Sequence, residues 1–387
     1  MTTMVQHAPE RLSLLGGPLH RLGRRLGLVR GETDTLPLGL ALAFVLWGVM
    51  LLLTEMDSFG DRLFSLTAIG VHVRLLVSIP LFFACEAMFE PRVGMFVETI
   101  VKAGVVPASE LPALEAEVAR TTAWKDAWLP EALCLLVALL VTVLGGGRHL
   151  YGASAGPGTD LPADGMTLTG VWYWGVCLTV FRFLVLRWLC RLALWCHFLR
   201  RVSRLELKLI PTHPDFAGGI GFLEVVHGHL GLLVVAISAL ECASFAEEIA
   251  GGSMTFETLY LTVAVLMLVL AVLVLGPLLI FTPQLWRARV HGLEQYGELA
   301  SHYVDDFEAK WIGRSPQKEM LGTPDLQSLA DLGTGLDRVE HMRWVPFGRR
   351  LITIMLAAVL LPAVPLVFFK IPLTGLVEKL FTHVLGL

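Results

Sequence analysis

Two arginines stand where an apolar chain can least accommodate them. Arg74 and Arg182 each lie well inside an apolar run long enough to cross a bilayer, Glu86 falls in the same run as Arg74, and Glu224 and Glu241 fall in another. A charge in hydrocarbon is costly and marks a counter-ion pair, an ion path or a substrate contact. At about 1.5 Å per residue, Arg74 lies roughly 12 Å from the outer end of its run and Arg182 roughly 12 Å from the inner end of its own. Depth therefore pairs Arg74 with Glu241 and Arg182 with Glu86. Such pairs serve either as packing contacts between helices or as charges along an aqueous path. Arg187 and Arg191, nearer a helix end, are expected to snorkel to the headgroups.

The densest polar stretch is Trp195 to His229. Arg200, Arg201, Arg204 and Lys208 make a basic face, Pro211 stops the helix, and Gly218, Gly219 and Gly221 permit tight backbone beside His213 and Asp215. Backbone amides at a helix start, next to guanidinium groups, can hold an anion such as phosphate. An anionic lipid headgroup is the most economical occupant. The same residues also suit a glycine-rich turn in which Asp215 caps the following helix. A lipid-acting enzyme would draw its acid or base from His213, Asp215 and His227.

Other groupings carry less chemistry. Glu224 and His227 share a helix face as in di-iron bundles, but the second copy such a site needs is missing from the sequence. His227 and His229, two apart, point about 200° away from each other on a helix. No metal site, cofactor or catalytic residue is expected. Glu294, Glu298 and His302 form an i, i+4 ladder, followed by Asp305, Asp306 and Glu308, which reads as a solvated face or a partner surface. The six cysteines, Cys85, Cys134, Cys177, Cys190, Cys196 and Cys242, lie in or beside apolar runs without a CxxC pair, as small buried apolar residues do. Walker A, HExxH and dinucleotide motifs do not occur, which argues against an ATP-driven pump or a zinc metalloprotease.

The elements that must position these residues follow from composition. With 387 residues, 55% hydrophobic, 17% charged and a mean hydropathy of +0.67, the chain is a polytopic helical membrane protein. A net charge of −4 gives no footprint for nucleic acid. Roughly 20 apolar residues cross a bilayer. Seven runs qualify: Leu36 to Thr54, Leu66 to Phe89, Leu129 to Leu144, Gly170 to Cys190, Leu223 to Phe245, Leu259 to Phe281 and Leu351 to Phe369. Pro80, Pro277, Pro362 and Pro365 fall within them, where a break is tolerated if freed carbonyls find partners or line a cavity.

With the N-terminus inside, 23 of the 30 lysines and arginines fall on the cytoplasmic side, as the positive-inside rule requires. The C-terminus is then periplasmic. The expected organisation is all-α, about seven transmembrane helices with a cytoplasmic helical collar. A basic N-terminal segment covers 1–35, with leucines spaced from Leu12 to Leu26 for an amphipathic helix on the inner leaflet. Spans one and two cover 36–89. A cytoplasmic helix pair covers 90–128, its second member capped by Ser109. Spans three to six cover 129–281, with the HPD turn at 211–222. A helical collar follows at 282–350, where the sixth span continues as a long helix and a breaker-rich linker at Gly313 to Thr323 precedes a further short one. The last span and an external tail cover 351–387.

Three stretches carry a likeness: THPDFAGGIGFL at Thr212–Leu223, GTPDLQSLADLG at Gly322–Gly333 followed by MRWVPF at Met342–Phe347, and YGELASHYVDDFEAKWI. They resemble segments of an uncharacterised bacterial family of multispanning inner-membrane proteins. The likeness covers roughly the C-terminal half and implies a bacterial inner-membrane location; it brings no catalytic residues. Both HPD and SLADLG marks fall on the cytoplasmic side, where they are expected to dock on each other. The function that these features favour is a channel or transporter for a small ion or solute, embedded in lipid and assembled as a homo-oligomer. A lipid-acting membrane enzyme and a signalling or scaffold protein are the alternatives.

Overall fold

The computed structural model describes residues 12–31, 33–57, 63–65, 68–150, 167–250, 256–312 and 324–366. The Gly313 to Thr323 linker, Arg62 and the tail at 367–387 lie outside them.

All regular elements among the described residues are helical. α1 is Gly17–Arg25 and α2 is Leu36–Met56. α3 runs Ile69–Lys102, with a π-helical turn at Val73–Ser78. α4 is Leu111–Asp126 and α5 is Trp128–Leu150. α6 runs through Leu168–Trp172, a π-helical turn at Tyr173–Cys177, and Leu178–Val202. α7 is Phe222–Ala250. α8, Phe256–Leu275, passes through a 3-10 turn at Gly276–Phe281 directly into α9, Thr282–Trp311, because Pro277 withholds an amide without reversing the chain. α10 is Pro324–Glu340, and α11 is Arg349–Leu360 with a 3-10 turn to Leu366.

Among the described residues, six helices are long and apolar enough to cross a membrane: α2, α3, α5, α7, the α8–α9 rod and α11. The expected fourth span lies in α6, whose core position comes from packing. It runs along α5 and α4. α3 and α7 form the centre, with α2, α6 and α11 against them. At one end, which we term the basic end, Lys208 donates its amide to Val105 at 2.7 Å. At the opposite end Asp57 accepts from the Thr169 amide and hydroxyl at 2.9 and 2.7 Å, and Glu247 accepts from the Gly70 amide at 2.6 Å.

Near the basic end the core is aromatic. Trp195 sits edge-on to Phe89 and Phe96 with ring centroids 6.1 and 5.9 Å away, and stacks on Phe198 at 5.8 Å. Offset and edge-to-face contacts of this kind are the favoured aromatic geometries.

Three local expectations change. The helix expected around Val93 to Val101 is the unbroken end of α3, which continues through Pro91 to Lys102. α4 starts at Leu111 with Glu110 at its N-cap position, and no side chain caps it there; Ser109 is not the cap. The leucines of the N-terminal segment divide. Leu12, Leu14 and Leu15 are buried in an extended strap, while Leu22 and Leu26 on and just past α1 remain exposed beside Arg21, Arg24 and Arg25. The N-terminal helix therefore begins only at Gly17.

Candidate functional site

Arg74 occupies the π-helical turn of α3 and Tyr173 opens that of α6. The guanidinium donates to the Tyr173 hydroxyl and sits 5.9 Å from that ring's centroid and 5.6 Å from the centroid of Phe181. Stacking on two rings offsets part of the desolvation of the cation. Glu241 on α7 is a Coulombic neighbour of Arg74, but among the described residues the two form no ion pair. Beside this contact, Trp47 donates its indole N–H to His72 at 3.0 Å. The arrangement sets a cation, a phenol and nearby carboxylates in a part of the bundle where both helices depart from the regular ladder.

Arg182 does not pair with Glu86. It donates to the Thr142 hydroxyl at 2.8 Å, which is itself 2.8 Å from the Thr179 hydroxyl. Glu86 is taken by two other arginines. Arg187 donates to it at 2.8 Å and Arg191 at 3.1 Å, and Arg187 also reaches Glu131 on α5 at 2.8 Å. Arg187 and Arg191 are only 6% and 5% exposed, so they do not snorkel. One turn apart, they share the face of α6 that meets α3.

Glu131, together with Glu90, also binds the N-terminal strap. Glu90 accepts from the Leu14 amide at 2.6 Å and Glu131 from the Leu19 amide at 3.0 Å, while Lys125 donates to the Leu15 carbonyl at 3.0 Å. Gly17 has φ +86°, and a Cβ there would lie 2.4 Å from the Glu131 carboxylate. Only glycine meets both demands. Composition gave no hint of this network, but a spacing signal existed: Glu86 and Glu90 on one span, Arg187 and Arg191 on another, both i, i+4 near the same end.

The HPD turn is filled by its own anion. The Asp215 carboxylate accepts from the amides of Ala217 at 2.8 Å, Gly219 at 3.1 Å and Gly221 at 2.8 Å, and the His213 ring lies 2.7 Å away. Phe216, Gly218 and Gly219 have φ of 55°, 66° and 99°, which fold the backbone around that carboxylate. Burial pushes the Asp215 carboxyl up, yet these amides and the imidazole outweigh it and hold it below its ordinary range. Two of the three glycine amides expected to cradle a phosphate, those of Gly219 and Gly221, are thus engaged internally.

The basic residues expected with them are split. Arg201 is bound to Glu117 at 2.6 Å, whereas Arg200, Arg204 and Lys208 are exposed. His227 is fully buried, accepting from the Trp195 indole at 3.0 Å and bonded to the Val274 carbonyl at 2.7 Å. Both of its ring nitrogens are engaged.

Docking of the family-like stretches differs from the expectation that the SLADLG segment meets the HPD turn. Arg343 donates its backbone amide to the Phe216 carbonyl at 2.8 Å and its guanidinium to the Asp215 carbonyl at 2.8 Å and to Glu224 at 3.0 Å. The Gly348 amide reaches the same Glu224 oxygen at 3.0 Å. The contact to the turn is therefore made by MRWVPF, while the SLADLG helix α10 packs along α9. Tyr303, Lys310 and Trp311 of α9 reach Asp325 at the start of α10.

No known protein family, curated protein or solved structure matches this chain.

Proposed function

We propose that this protein is a bacterial inner-membrane channel or transporter for a small ion or solute, with the contact between Arg74 and Tyr173 as its control point. The observation that carries the reading is that this one hydrogen bond joins two spans, each at a π-helical turn. Single π-helical turns recur at functional sites, and an intramembrane arginine is a functional group by default. Glu241 and Glu247 supply alternative partners of opposite charge near Arg74. Exchange of Arg74 between the phenol and a carboxylate would change how α3, α6 and α7 pack.

The orientation we propose places the basic end in the cytoplasm, with the N-terminus inside and the C-terminus outside. Exposed Arg200, Arg204 and Lys208, with Arg21, Arg24 and Arg25 on the strap helix, then face anionic headgroups. Membership of the multispanning bacterial family and a homo-oligomeric assembly complete the reading. The lipid-enzyme alternative is less favoured, because His213, Asp215 and His227 are all committed to internal hydrogen bonds.

The test is ion flux in proteoliposomes loaded with a panel of monovalent salts and small organic acids. Flux above that of empty vesicles, changed at least about ten-fold by both Tyr173→Phe and Arg74→Lys in protein that elutes as the parent does, supports the reading. Flux no greater than that of empty vesicles across the panel, or flux indifferent to both variants, overturns it.

A further inference from the structure

Cys134 on α5 and Cys190 on α6 face each other with their sulfurs 3.3 Å apart. Both are free thiols. A disulfide needs about 2.05 Å between sulfurs, so closure requires a shift on the order of 1 Å. The two line a cleft with Trp124, Lys125, Glu131, Arg187 and Arg191. Cys134 is 5% exposed and Cys190 is half-buried, so Cys190 is the more accessible sulfur. Cys134 lies six residues into α5, about 9 Å from the helix start at the basic end. A small polar oxidant can reach that depth through the cleft.

We propose that Cys134 and Cys190 form a dithiol modification site that a hydroperoxide oxidises to an α5–α6 disulfide. With hydrogen peroxide, the Cys190 sulfur attacks one peroxide oxygen, the O–O bond breaks, and the departing hydroxide takes the thiol proton as water. Cys190 is left as a sulfenic acid. The Cys134 sulfur then attacks the Cys190 sulfur, the S–O bond breaks, and the hydroxide leaves with the Cys134 proton as a second water. Two thiols lose two electrons in all and one peroxide is reduced to two waters.

The position gives the bond a structural consequence. Glu131 precedes Cys134 by three residues and Arg187 precedes Cys190 by three; α5 and α6 run antiparallel, so the ion pair crosses the same two helix faces at the level of the two sulfurs. Oxidation would make permanent a contact that also anchors the N-terminal strap.

The experiment is thiol counting on the full chain in lipid vesicles, with hydrogen peroxide as the probe and maleimide labelling after denaturation. The untreated chain presents all six thiols. The expected result is a fall to four, a Cys134–Cys190 linked peptide on digestion, and return to six with dithiothreitol. Cys134→Ala and Cys190→Ala, each eluting as the parent does, should yield no linked peptide. Retention of six thiols at a dose that oxidises a free dithiol control overturns the proposal. So does a linked peptide that joins other cysteines, or one that forms only after unfolding.

Discussion

Arg187 bridges Glu86 and Glu131, at 2.8 Å to each, and thereby ties α6 to both α3 and α5 inside the bundle. Removing one member of a buried pair strands the other's charge, which costs about 3–5 kcal/mol, whereas an exposed pair contributes under about 1 kcal/mol. Glu86→Gln should therefore lower the melting temperature in detergent sharply, since it leaves Arg187 and Arg191 short of a counter-charge. Lys102→Gln, which breaks a pair whose lysine is 77% exposed, should leave it nearly unchanged. Equal melts for the two variants would show that Glu86 does not hold the bundle.

The strap offers a sharper local test. Gly17→Ala places a methyl against the Glu131 carboxylate and forces alanine into a left-handed conformation, a strain of about 1–3 kcal/mol. Hydrogen exchange at the Leu14 and Leu19 amides should accelerate by about ten-fold or more, with the α7 amides unaffected. Unchanged exchange at both positions would mean that Glu90 and Glu131 do not retain the strap.

Acid should release the HPD turn before it unfolds the bundle. The folded-state pKa of Asp215 is depressed, so its contribution is fully present above the ordinary value of 3.8 and is lost as the pH falls through the lower folded-state value. Wild type should melt higher than Asp215→Asn by a constant margin from neutral pH down to about pH 5, and the margin should close below 3.8. A margin independent of pH throughout would show that the ionised carboxylate is not what the amides bind.

Arg343 fastens the segment after α10 to that turn. Arg343→Ala deletes two guanidinium bonds and leaves Glu224 with only the Gly348 amide, a loss of about 1.5–3 kcal/mol for a charged partner. Protease cleavage between α10 and α11 should speed up well before global unfolding. Arg343→Lys, which keeps the charge without the fork, should recover only part of the protection. Full recovery by lysine would assign the effect to charge alone.

Much of the fold was legible along the chain. The spans are runs of apolar residues, the HPD turn has glycine where φ is positive, and the sixth span passes into a long helix at Pro277. The site was legible only in its membership. Arg74, Glu86, Arg182 and Glu241 are conspicuous as charges among apolar residues, but depth paired Glu86 with Arg182 when its partners are Arg187 and Arg191. The glycines of the turn suggested an external anion, because the sequence does not show that Asp215 curls back to supply one. The cysteines looked inert because Cys134 and Cys190 are 56 residues apart and adjoin only when α5 packs on α6.

By itself the sequence determined that this chain is an all-helical membrane protein with its positive charge gathered toward one side. Hydropathy and charge bias are sums over about 20 consecutive residues, and neither depends on which helix lies next to which. The tertiary structure alone decided the partners. Arg182 and Arg187 differ by five residues, which turns them about 140° apart on an α-helix, so one meets Thr142 and the other Glu86. That rotation, and the choice of neighbouring helices, arises from packing between segments distant in the chain.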